Sequence, residues 1–279
     1  MTPASMRLYE SSVAPDITLT KYQALGNDYL VLDLPADLDR VIDLLPRLCD
    51  RHRGVGADGL LAFDPGTRRL RIFNPDGSEA EKSGNGLRIA ACHAHLEHDA
   101  GDRFELHTQD RANPVRVLSS DGGRVVTELN LGRPRLHPDR WLYLGTPVGR
   151  VRCRSVDLGN PHCVVFGEPV TPERCRQLGP HLERHRRFPN RANVQLVETL
   201  DRQHARIEIW ERGAGYTLAS GTSAGAVAAV LFHLGLADPA VEVLMPGGSL
   251  AVRQEPNGEL VQVGPAQRVF TARVSLEDL

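Results

Sequence analysis

Apolar positions along the chain fall mostly into short runs of strand length, and a few stretches break that rhythm. Residues 17–33 (ITLTKYQALGNDYLVLD) read as strand, turn, strand, with the turn at Leu25, Gly26 and Asn27. Residues 37–52 (DLDRVIDLLPRLCDRH) have the spacing of an amphipathic helix covering a sheet, with Pro46 placed to kink or split it. LRIFNP (70–75) is a further strand, and RFELHT, VRVLSS and RVVTELN between 103 and 129 are three more, separated by turn signals. Strands follow near 141–156 and in LGNPHCVVF, then a short helix at 171–178 that opens with Thr-Pro-Glu. Strands in RANVQLVE and ARIEIWE come next, and the chain closes on a hairpin signalled by Asn257-Gly258 and a last strand.

The stretch from 224 to 236 (AGAVAAVLFHLGL) is apolar nearly all round, the pattern of a helix buried within a domain. Ser220, Gly221, Thr222 and Ser223 precede it, so the unpaired N–H groups of its first turn and the positive end of its dipole face a deep position suited to a carboxylate or oxyanion. The same layout occurs earlier, where Ser83, Gly84, Asn85 and Gly86 lead into an apolar helix beginning Leu87. LGNDYLVLD from Leu25 and LGNPHCVVF from Leu158 form a second pair. Gly26 to Gly159 spans 133 positions and Ser83 to Ser220 spans 137, so two independent pairs share one offset and indicate a duplicated half of about 135 residues. The expected fold class is α+β, with two pseudo-twofold-related halves. Residues 16–122 with 265–279 form one half, 123–264 form the other, and 1–15 are a frayed extension.

Composition narrows the function. Apolar residues make up 41% and no run approaches the length of a membrane helix, so no membrane partner is expected. Lys and Arg number 33 against 35 Asp and Glu, a balance without the electrostatic footprint of a nucleic-acid binder, which leaves a small molecule as the expected partner. The first 15 residues lack a signal-peptide core, and a cytoplasmic protein is expected. Five cysteines without close CxxC spacing read as buried free thiols.

Two equivalent helix starts meeting at the interface of the halves would offer two opposed groups to one substrate. One can take a proton from a carbon while the other donates to the opposite face, inverting a stereocentre, and the helix dipoles would hold the adjoining carboxylate. No lysine motif for pyridoxal phosphate and no metal-ligand spacing is present, so no cofactor is expected. The three glycines of RHRGVGADG (51–59) read as a tight connection.

LGNDYLVLD, RHRGVGADG, FNPDGSEAEKSGNGLR, LGNPHCVVF, RANV and ERGAG with the following ASGT resemble, in this order from about residue 17 to 273, the diaminopimelate epimerase family. The resemblance implies two β-rich shells around central helices, with the last strand returning to the first half. It also implies a cofactor-independent amino-acid epimerase of lysine and peptidoglycan biosynthesis, and a homodimer. The family's two catalytic cysteines fall on Ser83 and Ser220. Serine is a far weaker acid than a thiol of reference pKa about 8.5 and needs a neighbouring base. It is also a favoured N-cap, so a purely structural role competes with a catalytic one. Asn27, Asn74, Asn160, Asn193, Glu211 and Arg212 match positions that hold the substrate's carboxylate and amino groups, and Gly84, Asn85, Gly221 and Thr222 match the anion-binding helix starts. His162 matches a histidine near the reacting centre, and Glu79 is a candidate base near Ser83. Tyr216, Ser223 and Gly225 depart from the family's Glu, Gly and Cys. Three activities fit this set: epimerisation, a one-faced dehydration or double-bond shift, and binding without chemistry.

Overall fold

The computed structural model describes residues 16–80, 83–109, 111–136, 141–277 and 279; the 1–15 extension lies outside them. The first series of elements is β1 (Ile17–Ala24), β2 (Asn27–Asp33), α1 (Leu38–Leu48), β3 (Leu60–Asp64), β4 (Arg69–Phe73), α2 (Gly84–Glu97), β5 (Arg103–His107), β6 (Ala112–Asp121) and β7 (Arg124–Gly132). After β8 (Arg135–Leu136) and β9 (Leu142–Thr146) the series repeats as β10 (Gly149–Asp157), β11 (Pro161–Phe166), α3 (Pro172–Glu183), β12 (Asn193–Thr199), β13 (His204–Glu211) and β14 (Gly215–Thr217). It finishes with α4 (Gly221–His233), β15 (Ala240–Met245), β16 (Gly248–Gln254) and β17 (Leu260–Val274).

Pairing repeats with the order. β2 and β3 run parallel across α1, with Leu30 opposite Leu60, and β11 and β12 run parallel across α3, with Cys163 opposite Val194. The second crossover is parallel in both halves as well, β4 with β5 around α2 and β13 with β15 around α4. β7 and β17 pair antiparallel and carry residues of both cores. Val125 and Leu129 of β7 pack in the first core and Leu131 in the second, while Leu260 of β17 packs in the second and Ala266 in the first. β17 then pairs with β1, returning the chain end to its beginning. The halves therefore share two strands, and all the described strands belong to one hydrogen-bonded network.

α2 and α4 are the central helices, buried from their first residues to Ala94 and Leu231 respectively. α1 and α3 lie outside, each closing a separate outer cluster. α4 ends in a Schellman turn: Gly235, at φ +67°, donates to the Phe232 carbonyl, and the Leu236 N–H reaches the Leu231 carbonyl. Two prolines do less than the sequence suggests. α1 runs through Pro46 to Leu48, and α3 continues past the expected end at Leu178, through Gly179 and Pro180, to Glu183. Trp210 explains the second case. Its ring lies so close over Gly179 that an added Cβ would sit 2.4 Å from it, and its indole N–H donates to Glu183 Oε2 at 2.8 Å, so tertiary packing holds the last turn. All five cysteines are buried and free. Among the described residues no helix is long and apolar enough to cross a membrane.

Candidate active site

Ser83 and Ser220 are the N-caps of α2 and α4 and adopt nearly the same extended backbone, φ −140° and −148°. Each hydroxyl accepts from the backbone three residues on, Ser83 from Gly86 N at 2.9 Å and Ser220 from Ser223 N at 3.4 Å. The two helix starts touch. A Cβ added to Gly84 would lie 3.3 Å from Gly221 Cα and 3.7 Å from Thr222 N, so the glycines permit the approach. Their free N–H groups and dipole ends converge on one place between the halves.

Beyond capping, the serines differ. Ser220, buried, hydrogen-bonds the Glu211 carboxylate, and the Thr217 hydroxyl lies nearby. Burial raises the Glu211 pKa above the ordinary glutamate value, and the Ser220 and Thr217 hydroxyls only partly offset it. Ser83, half-buried, hydrogen-bonds instead to the Tyr29 hydroxyl, whose pKa burial pushes up to about 12 against the effect of that bond. The Glu211 charge also raises the Tyr29 pKa, which places the two groups within electrostatic reach of each other.

A polar network ties the halves together behind the helix starts. Asn85 Nδ2 donates to Asn27 Oδ1 at 3.0 Å and to the Ala219 carbonyl at 3.1 Å, and Asn27 Nδ2 donates to Asp58 Oδ2 at 2.7 Å. Arg88, fully buried, donates to Asn85 Oδ1 and to Gln262 Oε1, while Gln262 Nε2 donates to the Gly221 carbonyl at 2.8 Å. Burial lowers the Arg88 pKa only to about 10, so a full positive charge sits behind both helix starts at neutral pH. Asp28 is held by both Nη atoms of Arg51 (3.1 and 2.6 Å) and by Lys21 (2.8 Å). Burial alone would raise its pKa, but these cations outweigh burial and bring it down to about 2.

In the second half, His162 Nε2 lies 2.9 Å from Asn160 Oδ1 and Nδ1 lies 3.1 Å from Gln195 Nε2. The buried ring is thus held at both nitrogens by side-chain amides. Gln195 Nε2 also reaches Ser223 Oγ at 2.9 Å, linking the histidine to the first turn of α4. Asn193 Oδ1 accepts from the Arg212 N–H at 2.9 Å, which fixes the turn after Glu211. His162, with Asn160 beside it, is thus tied to the α4 start through Gln195, as Asn27 is tied to α2 through Asn85, while Asn193 and Arg212 hold the turn after Glu211.

Other sequence candidates lie elsewhere. Asn74 donates to Ser78 Oγ at 2.9 Å within its own turn. Glu79 is gripped by Arg71 (3.2 and 2.9 Å) and Gln109 (2.6 Å), so the candidate base for Ser83 is spent on an ion pair, and the neighbour of Ser83 is instead the protonated Tyr29 hydroxyl. Tyr216 donates to Glu208 Oε2 at 2.7 Å and lies under the Arg176 guanidinium at 4.0 Å, packed toward α3. The residues sequence reading missed are Tyr29, Arg88, Gln195, Thr217 and Gln262. Only Arg88 carried a signal, a lone charge inside an apolar helix.

This two-half fold is shared with a group of solved structures. A hydroxyproline epimerase from Agrobacterium vitis superposes with a TM-score of 0.65 at 16% identity, over 94% of this chain and 93% of that one. A phenazine biosynthesis protein of the PhzF family from Bacillus anthracis gives 0.69 at 15% identity, over 94% and 99%. Within that group, the diaminopimelate epimerase family profile matches residues 19–135 and 154–269, one stretch in each half. Diaminopimelate epimerase 2 of Nostoc sp. is 38% identical over 92% of this chain and 95% of its own. Diaminopimelate epimerase of Desulforudis audaxviator is also 38% identical, over 91% and 98%. The chain belongs to the diaminopimelate epimerase family, and it is an isomerase of the amino-acid epimerase and racemase type.

Proposed function

We propose that this protein inverts the α-carbon of a diamino dicarboxylic acid, converting LL- to meso-diaminopimelate without a cofactor, with Ser83 and Ser220 as the two poles of proton exchange. The observation that carries the proposal is the contact of two serine-capped helix starts across the interface of the halves. The substrate's α-carboxylate takes the converging N–H groups of residues 84–85 and 221–222, which the capping hydroxyls leave free, with the Arg88 charge behind them. On one face Ser220 Oγ accepts the α-proton as its own hydroxyl proton passes to Glu211. On the other face Ser83 Oγ donates its proton to the carbanion and draws a replacement from the Tyr29 hydroxyl. The reverse direction exchanges these roles. Asn27, Asn160, Asn193 and Arg212 hold the remaining carboxylate and amino groups. Asn74 completes that set as the family resemblance implies, after leaving its turn.

A hydroxyl relay is less acidic than a thiol, so the proposal includes turnover slower than a cysteine pair would give. The asymmetry favours one alternative. A carboxylate at one pole only is what a one-faced proton shift in an amino or hydroxy acid would use. Proton NMR in deuterated water with LL-diaminopimelate tests both. Deuterium at the α-carbon with meso product supports epimerisation. Exchange without inversion supports the one-faced reaction. Absence of exchange, both in the natural chain and after Ser83→Cys with Ser220→Cys, contradicts both.

A further inference from the structure

The far end of α2 carries a second constellation that the isomerase chemistry does not use. His93 lies in the last turns of the helix, His98 is its C-cap, and Asp33 is the last residue of β2. His93 Nε2 is 2.8 Å from Asp33 Oδ1, His98 Nε2 is 3.0 Å from Asp33 Oδ2, and the two Nε2 atoms are 3.3 Å from each other. Two imidazole nitrogens and a carboxylate oxygen thus point at one another within a single small volume. We propose that Asp33, His93 and His98 form a binding site for one late first-row divalent ion of the zinc type, which clamps the C-terminus of α2 to the end of β2.

Four observations support the site. Zinc–nitrogen bonds of about 2.0–2.1 Å in tetrahedral geometry put ligand nitrogens about 3.3 Å apart, the separation of the two Nε2 atoms. The second nitrogen of the buried His93 is 3.0 Å from the Tyr22 hydroxyl, so His93 Nδ1–H donates to Tyr22 oxygen when Nε2 binds metal, the outer contact that orients a liganding histidine. The carbonyl end of α2 favours a cation. The side chains of Asp33 and His98 are 43% and 25% exposed, which gives the ion an entry path and a water for its fourth position. Two imidazoles and one carboxylate suit zinc, cobalt or nickel better than calcium or magnesium. The residues are 60 and 5 positions apart in sequence, a spacing that resembles no metal motif. The site lies about 20 Å from the α2 start, taking 1.5 Å per residue along the helix, so the ion braces the helix without joining the chemistry.

The test uses the untagged full-length chain, cleared of metal with a chelator and titrated with Zn²⁺ alone by calorimetry and Co²⁺ alone by visible absorption. The expected result is one ion per chain, a rise in melting temperature on Zn²⁺ addition, and a tetrahedral Co²⁺ spectrum. His98→Ala and Asp33→Ala each abolish all three, and melting in chelator verifies that both variants remain folded. Tyr22→Phe keeps the stoichiometry and weakens binding about 10–100-fold, through the lost outer contact. Failure of the natural chain to bind one equivalent, or equal binding by His98→Ala and Asp33→Ala, overturns the site.

Discussion

The starts of α2 and α4 descend from one repeat and share their cap, their backbone and their mutual contact, yet they differ in what stands beside the serine. Ser220 faces a carboxylate whose burial keeps it a ready proton acceptor, whereas Ser83 faces a phenol that holds its proton through the physiological range. The lesson is that duplication supplies symmetry of the scaffold, and proton chemistry is assigned by one neighbour at each pole. A racemase needs both poles to accept and donate. The Tyr29 pole is the weaker acceptor, and the comparison can be broken or sharpened there.

The largest effect is expected from Glu211→Gln, which removes the acceptor behind Ser220 and lowers kcat about 10²–10⁴-fold, the ordinary worth of a positioned general base. Glu79→Gln, which touches only the contacts to Arg71 and Gln109, leaves kcat in place, and steady-state kinetics separates the two. Tyr29→Phe lowers kcat/KM from both isomers by the same factor, because the phenol donates in one direction and accepts in the other, and initial rates measured from each isomer check it. Gly84→Ala forces a Cβ to 3.3 Å from Gly221 Cα, and the helix starts must part by a few tenths of an ångström. Activity falls about 10-fold or more through lost orientation, with a smaller change in denaturant midpoint.

pH sharpens the same contrast. Glu211 acts as a base only when ionised and its pKa is raised, so the acid limb of kcat/KM lies above that of an ordinary glutamate and disappears in Glu211→Gln. For stability the sign is opposite to that of a paired carboxylate. A raised folded pKa favours the protonated folded state, so the Glu211 contribution is lost as pH rises through its folded pKa. Asp28 behaves the other way. Held at about 2, below the ordinary aspartate value, it contributes about 2 kcal/mol above pH 4, lost as pH falls toward 2. Urea denaturation of the natural chain and Asp28→Asn at pH 7 and pH 3 measures that difference. The smallest effect is that of the caps: Ser83→Ala and Ser220→Ala each cost about 1 kcal/mol of stability.

The sequence made the scaffold legible because the duplication wrote it twice. The Gly-Asn turns and the Ser-Gly helix starts recur at one offset, and local capping chemistry places them correctly. The links between the halves were not legible, because they join residues remote in the chain. Arg88 meets Gln262 from 174 positions away. Glu211 is close to Ser220 in sequence, but its role as a base depends on the burial of its carboxylate, which spacing does not reveal. Tertiary packing also overrode local stops, as when Trp210 carried α3 through Gly179-Pro180. Glu79 shows the converse: a carboxylate near in sequence to Ser83 was committed to Arg71, a strand neighbour that sequence patterning does not rank.

The central claim is that Ser83 and Ser220 act on opposite faces of one carbon, beyond capping their helices. The most direct measurement follows α-hydrogen exchange in deuterated water for Ser83→Ala and Ser220→Ala, starting in turn from the LL and the meso isomer of diaminopimelate. Loss of inversion in both variants, with residual exchange from a different isomer in each, is the predicted result. Inversion by both variants at the rate of the natural chain would contradict the account and leave the serines as caps.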